Sequence, residues 1–239
     1  MAINFDKMKE EYKSLLDYKK SLRDWHYDPM LPSVDCFYVG RFMVNFQEHL
    51  KGVDWGMPEH GVDLWPEDEK KPMDLHNLSW GKKDNIRAGY TKQNTQKYQL
   101  YNDKRIPKIL YDIAEMTGLE NYSLALFRQD PGQSNPWHFD TCRGVVEKYR
   151  KQGIELTDKD IKRIKRYLIV LEDWDWGHFL QVGNNVLSQW HAGDVYTWEY
   201  GMYHTSCNAG IKPKLTAHIT GLPNEEALHL SGKYKFFVK

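Results

Sequence analysis

After Gly118 the chain breaks into short apolar runs: Tyr122–Arg128, Tyr167–Leu171, Phe179–Val182, Val186–Trp190, Val195–Trp198 and Leu215–Thr220. Glycine and asparagine turns separate them. Runs rich in β-branched and aromatic residues, returning at about 8–12-residue intervals, specify strands that fold back on one another. Such a pattern excludes an alternating βαβ sheet and predicts a sandwich or a closed barrel. One stretch interrupts it. From Arg143 to Arg166 the chain carries nine lysines and arginines against four acids, which predicts a helical excursion between strands.

Upstream, Phe5, Met8, Tyr12, Leu15, Leu16 and Leu22 fall near helical spacing and predict an amphipathic helix over Phe5–Arg23. Between Asp24 and Thr91, five prolines and Trp55, Trp65 and Trp80 predict loops with short strands, the tryptophans packing the outside of the barrel. A second helix is expected over Asp103–Met116, stopped by Gly118. No linker composition divides the 239 residues. The expectation is one α+β domain, with residues 1–120 as a helical and loop buttress and residues 121–239 as the β-core.

Composition narrows the function classes. Lysine plus arginine equals aspartate plus glutamate at 33 each, which argues against a dedicated nucleic-acid or membrane-surface binder. No apolar run approaches the roughly eighteen residues of a membrane span, and the charged start lacks the apolar segment of a signal peptide. Three scattered cysteines (Cys36, Cys142, Cys207) fit a reducing cytoplasm better than a disulfide framework.

The chemistry concentrates in His138-Phe139-Asp140 and His204. On a strand, residues two apart share a face, so His138 and Asp140 are expected to point together. Two imidazoles and a carboxylate make the facial triad of non-haem Fe(II) oxygenases, which leaves coordination positions open. Lys214 follows His204 by ten residues, with Thr216 two further on. Alternation puts Lys214, Thr216 and His218 on one face of their strand. A cation turned inward from a sheet is costly without an anionic partner, and a dicarboxylate cosubstrate would be one.

This order of motifs resembles the 2-oxoglutarate/Fe(II)-dependent oxygenase superfamily. The elements are HFD, then His204, then a basic residue ten later with a hydroxyl two beyond it. Pro131-Gly132, the strand Arg166–Leu171 and Trp190-His191-Ala192-Gly193-Asp194 bring it nearest the aspartyl/asparaginyl β-hydroxylase branch. The resemblance spans about residues 122–221. It implies a double-stranded β-helix (a cupin-like jelly roll), and the N-terminal helices read upstream of it are expected to pack on one of its sheets. It further implies Fe(II) held by His138, Asp140 and His204, and 2-oxoglutarate and O2 as cosubstrates. Lys214 would take the remote carboxylate beside Thr216, and Arg166 would contact the cosubstrate. The implied reaction is hydroxylation of an amino acid or a peptidyl side chain. Two positions depart from the pattern: lysine stands where the superfamily usually has arginine, losing the bidentate fork, and Leu168 stands where the branch commonly has histidine.

Other readings stay open at this level. Lys212 is the rival to Lys214. Cys142 and Cys207 lie near the candidate ligands, although their offsets match no zinc framework. His178 and His191 are expected at turns. The barrel could instead act on another small metabolite or a nucleobase, or serve as a non-catalytic cupin-like binding module. The sequence sets no oligomeric state.

Overall fold

The computed structural model describes residues 36–55, 90–91, 94, 98–224, 227 and 234–238, all within the compact unit Val34–Lys239. The helix expected over Phe5–Arg23, and Trp65 and Trp80, lie outside these residues. The described elements run β1 (Phe37–Phe42), α1 (Phe46–Leu50), β2 (Tyr98–Tyr101), α2 (Lys108–Met116), β3 (Leu119–Gln129), β4 (Ser134–His138), α3 (Arg143–Lys151), α4 (Asp158–Arg163), β5 (Lys165–Val170), β6 (His178–Val182), β7 (Asn185–Leu187), β8 (Asp194–Trp198), β9 (His204–Asn208), β10 (Lys214–Pro223) and β11 (Tyr234–Phe236).

Two sheets form. The larger has the order β11-β1-β8-β5-β10-β3-β2 and the smaller β4-β9-β6-β7. From β3 to β10 the chain passes back and forth between them, and within this set all neighbours are antiparallel. Four strands of each sheet, β8-β5-β10-β3 facing β4-β9-β6-β7, make a double-stranded β-helix, so the fold is α+β with a jelly-roll core. Strands β1, β2 and β11 extend the larger sheet at its edges. The charged run forms α3 and α4, as its composition predicts, with Thr157 and Asp160 completing a capping box at the start of α4.

Registers separate two faces of the larger sheet. Leu124, Leu126, Tyr167, Ile169, Val195, Ala217 and Ile219 face outward and bury against Phe46 of α1 and Leu110 and Ile113 of α2. Complete burial of side chains such as Leu110 and Ile113 stabilises by about 1.5–3 kcal/mol each. Helix α2 starts at Lys108, later than its apolar spacing suggests, because Pro107 takes the N-cap position. Ahead of it, Asp103 is engaged by Arg105 through side chain and backbone.

The inward face of the same sheet is mixed. Leu168, Val170 and Trp198 pack with Leu180, Val182 and Trp190. Beside them stand Gln129, Arg166, Lys214, Thr216, His218 and Thr220. The β10 register fixes their rows: Lys214 opposite Gln129, Thr216 between Phe127 and Val170, His218 between Ala125 and Leu168, and Thr220 opposite Arg166.

Gly193 closes the turn before β8. Its φ of +89° disfavours any other residue, and a Cβ there would lie 2.1 Å from the Phe42 carbonyl oxygen. The approach serves a hydrogen bond, Phe42 N–H to the Gly193 carbonyl at 2.9 Å. Next to it, Asp194 accepts from Arg41 at 2.6 Å and from the backbone N–H of His191 at 2.8 Å. Gly193→Ala is therefore expected to cost about 2–3 kcal/mol, measured as a shift in the denaturant midpoint; an unchanged midpoint would contradict this account of the turn.

Candidate metal centre

Strands β4 and β9 pair so that His138 lies directly opposite His204. Their rings are 4.3 Å apart between centroids. Asp140 does not get its place from strand alternation, because β4 ends at His138. An ion pair holds it instead: Arg166 Nη1 donates to Asp140 Oδ2, while Arg166 Nε donates to Thr220 Oγ1 at 3.0 Å. The carboxylate then stands 3.2 Å from His204 Nε2 through Oδ2 and 4.0 Å from His138 Nε2 through Oδ1. Ligand atoms of all three residues lie within 4.8 Å of one another, and among the described residues they are the one such group.

Tautomers follow from the backbone. His138 Nδ1 faces the Pro136 carbonyl at 2.7 Å and His204 Nδ1 faces the Met202 carbonyl at 3.0 Å. A carbonyl only accepts, so each Nδ1 carries the proton and donates it. Each Nε2 is then left with a lone pair directed at the common point. A ligating histidine needs this outer hydrogen bond to fix its tautomer and ring plane.

Electrostatics agree. Burial, reinforced by neighbouring His204, pushes His138 down to about 4, so its ring is neutral at pH 7. Burial works against the Asp140 charge, but Arg166 holds that carboxyl well below its usual range. Two imidazoles and one carboxylate on one side of a point, with no further side-chain ligand among the described residues, suit a divalent metal that keeps positions open. Cys142 and Cys207 are not in the group. Burial pushes the Cys142 thiol up to about 12, so the zinc-thiolate alternative finds no support at that position.

The rival cations separate cleanly. Lys212 is on the surface and pairs with Asp175 at 2.5 Å. Lys214 is inside the barrel, 3% exposed. Its Nζ donates to Gln129 Oε1 at 3.0 Å and the Phe179 carbonyl at 2.7 Å, and it lies 5.9 Å from the centre of the Trp190 ring. Its two acceptors are neutral. Beside it, Gln129 Nε2 and Trp190 Nε1 are buried donors without hydrogen-bond partners. These two donors could not be foreseen from the sequence: Gln129 falls just beyond the run Tyr122–Arg128, and Trp190 closes the apolar run Val186–Trp190. Ser206, two residues beyond His204 on the inward face, bonds Gln129 Oε1 at 3.2 Å and so links the triad's strand to the lysine. Thr216 is buried one row above.

Arg166 is thus engaged with Asp140 and Thr220, whereas the sequence resemblance implies a contact to cosubstrate. His191 is exposed near a turn, as expected, 3.6 Å from Asp173. His178 differs from the expected turn residue. It begins β6, is buried, stacks on Trp190 and contacts the Lys212 carbonyl at 3.1 Å through Nε2. A shallow depression of about 10 Å³, open to solvent, borders Asp140, Arg166, Trp198 and the turn at residues 199–202. No described helix is long and apolar enough to cross a membrane.

No family model matches the chain, and no curated protein matches its sequence. Among solved structures it is similar to a protein with a double-stranded β-helix domain from Klebsiella pneumoniae, at 16% identity over 48% of this chain and 79% of that one (TM-score 0.29). It is also similar to a cupin protein from Bacteroides fragilis, at 13% identity over 48% and 75% (TM-score 0.30). A cupin 2 conserved barrel domain protein from Salinispora arenicola matches at 14% over 42% and 63% (TM-score 0.28). The fold assignment rests on the strand order, which these distant likenesses accompany.

Two outcomes are expected. Asp140→Ala abolishes stoichiometric binding of a divalent metal while circular dichroism stays native; metal titration by calorimetry checks it, and unchanged affinity would remove Asp140 from the site. The second concerns Lys214, which burial pushes from its ordinary 10.5 down to about 7. Between those values the unfolded chain binds the extra proton, so this group makes stability rise with pH across that window and adds no slope below or above it. Lys214→Met should flatten that rise in denaturant midpoints measured from pH 7 to 10.

Proposed function

We propose that the chain is an Fe(II)- and 2-oxoglutarate-dependent dioxygenase that hydroxylates an amino acid or a peptidyl side chain. One observation carries the reading: a three-residue ligand set with open positions shares a barrel with a buried lysine that has only neutral acceptors and unpartnered donors beside it. A buried ammonium with no carboxylate at hydrogen-bond distance is strongly disfavoured unless a ligand supplies the negative charge, and the Glu172 carboxyl that acts on it is itself pushed up to about 7 by burial. A dicarboxylate with one end at the metal and the other at Lys214 would do so.

The residues fit both groups. His138, Asp140 and His204 would hold the iron, which would supply hydroxylation of an unactivated C–H bond by O2, one oxygen atom going to the substrate and the other to the succinate formed as 2-oxoglutarate loses CO2. Arg166 keeps the Asp140 carboxylate ionised and oriented, so the triad is preorganised. Lys214 Nζ neutralises the distal carboxylate, and Gln129 Nε2 and Trp190 Nε1 are placed to donate to it. Charge-assisted bonds of this kind are roughly twice as strong as neutral ones, and the barrel interior strengthens them further. Leu168, Val170, Leu180 and Val182 line the same interior with apolar surface and exclude water from it. The Trp198 ring, 5.0 Å from that of His204, stiffens the ligand wall. Substrate would reach the metal from the depression beside Asp140.

The test is an anaerobic visible spectrum of the Fe(II)-loaded protein titrated with 2-oxoglutarate. Chelation by the keto acid produces a weak metal-to-ligand charge-transfer band. The band is expected in the wild type, and Lys214→Met should need at least about tenfold more 2-oxoglutarate to develop it, the loss of one hydrogen bond between charged groups. Absence of the band in folded protein that binds one Fe(II) would contradict the proposal and favour a binding module on the same barrel.

A further inference from the structure

His218 is the inward residue of β10 for which neither packing nor the triad gives a reason. It stands between Lys214 and Thr220 on the same face. Thr220 accepts from Arg166, and Lys214 donates to Gln129 and to the Phe179 carbonyl. His218 Nδ1 is buried and has no hydrogen-bond partner. One face of its ring lies against Phe127, with centroids 4.5 Å apart, and across the strands it opposes Leu168 and Ala125. In such surroundings a leucine would pack equally well and leave nothing unsatisfied. An unmade hydrogen bond at a buried nitrogen costs about 1–3 kcal/mol. Its position resolves the question. Along β10 the ring stands two rows from Lys214 and one row from Thr220, whose hydroxyl is bonded to Arg166 and through it to Asp140, so it falls between the buried lysine and the triad's carboxylate.

We infer that His218 binds the keto-acid end of the cosubstrate, donating from Nδ1 to the carboxylate beside the keto group while Lys214 holds the far carboxylate. The inference rests on the dioxygenase reading above. It makes His218 a cosubstrate-binding residue, distinct from the metal ligands, and gives this barrel two anchor points that face one dicarboxylate from the same strand. The row order on β10 sets their separation, and the keto acid would lie across Thr216 between them. A mono-carboxylate keto acid would engage only one anchor and bind more weakly.

The experiment compares wild type, His218→Leu and His218→Asn by anaerobic titration of the Fe(II)-loaded proteins with 2-oxoglutarate, following the charge-transfer band, together with Fe(II) affinity and melting temperature. Leucine matches the residue opposite in β5, and asparagine restores a side-chain N–H close to Nδ1. The expected result is a rise in the 2-oxoglutarate Kd of about tenfold or more in His218→Leu, substantial recovery in His218→Asn, unchanged Fe(II) affinity in both, and a melting temperature of His218→Leu at or above that of wild type. A Kd in His218→Leu within about twofold of wild type would overturn the inference and leave the dioxygenase reading intact, since that difference is below one hydrogen bond to a charged group. A loss of Fe(II) affinity in step with the Kd would also overturn it, showing that His218 supports the metal ligands. Wild-type protein that binds Fe(II) yet never develops the band would defeat the dioxygenase reading itself.

Discussion

The ion pair between Arg166 and Asp140 is the contact on which the centre depends. Asp140 sits beyond the end of β4, where no ladder hydrogen bond fixes its backbone, and it is the one anionic member of the triad. Arg166, projecting inward from β5 in the larger sheet, reaches across the barrel to hold it. The same guanidinium is anchored to Thr220 on the adjacent strand. One side chain thereby ties the loop after β4 to the opposite sheet and keeps the carboxylate charged inside a barrel that would otherwise favour its neutral form. Arg166 suits this task because Nη1 and Nε of its planar fork serve Asp140 and Thr220 together in one fixed geometry.

Around that pair the barrel keeps two kinds of interior. Outside the larger sheet, Leu124, Ile169, Val195 and Ile219 make an apolar layer under α1 and α2 that carries much of the folding free energy. Inside, apolar rows built on Leu168, Val170, Leu180 and Val182 lie beside Arg166, Lys214 and His218. A low-dielectric wall makes each inward charge costly when alone and strong when matched. The structure matches Arg166 with Asp140. Lys214 meets only neutral groups at hydrogen-bond distance, and the same interior leaves donors on Gln129, Trp190 and His218 without partners. These unsatisfied polar groups, gathered in the barrel that also holds the candidate ligand set, are the feature a purely structural core would not need.

Much of this was legible in the sequence, for physical reasons that differ by residue. Period-two alternation placed Lys214, Thr216 and His218 on one face because β10 is long and regular. Alternation alone would put Lys212 on that face too; Pro213, which leaves Lys212 in the turn before β10, separates the two. Six of the eight jelly-roll strands were visible as apolar runs between glycine and asparagine turns; β4 and β9, short and polar, gave no such run. Strands β1, β2 and β11 were not visible either, since each is short and finds its partner far along the chain, where local pattern carries no information. His178 read as a turn residue within DWDWGH, but the stacking that buries it comes from Trp190, twelve residues later. The pairing of His138 and Asp140 was anticipated by alternation, yet the structure supplies it through Arg166. The family resemblance named the same arginine for a different partner. The orphaned donors on Gln129 and Trp190 exist only once two sheets face each other.

The central claim is that His138 and His204 present neutral Nε2 atoms to one metal, each with its Nδ1 proton held by a backbone carbonyl two residues earlier. The most direct measurement is proton NMR of the Co(II)-substituted protein, in which ring N–H protons of coordinated histidines are shifted far outside the ordinary range by the paramagnetic ion. The account predicts two such exchangeable signals, one lost in His138→Ala and the other in His204→Ala, with both slow to exchange because their carbonyl bonds protect them. No shifted exchangeable signal, or signals that survive both substitutions, would contradict it.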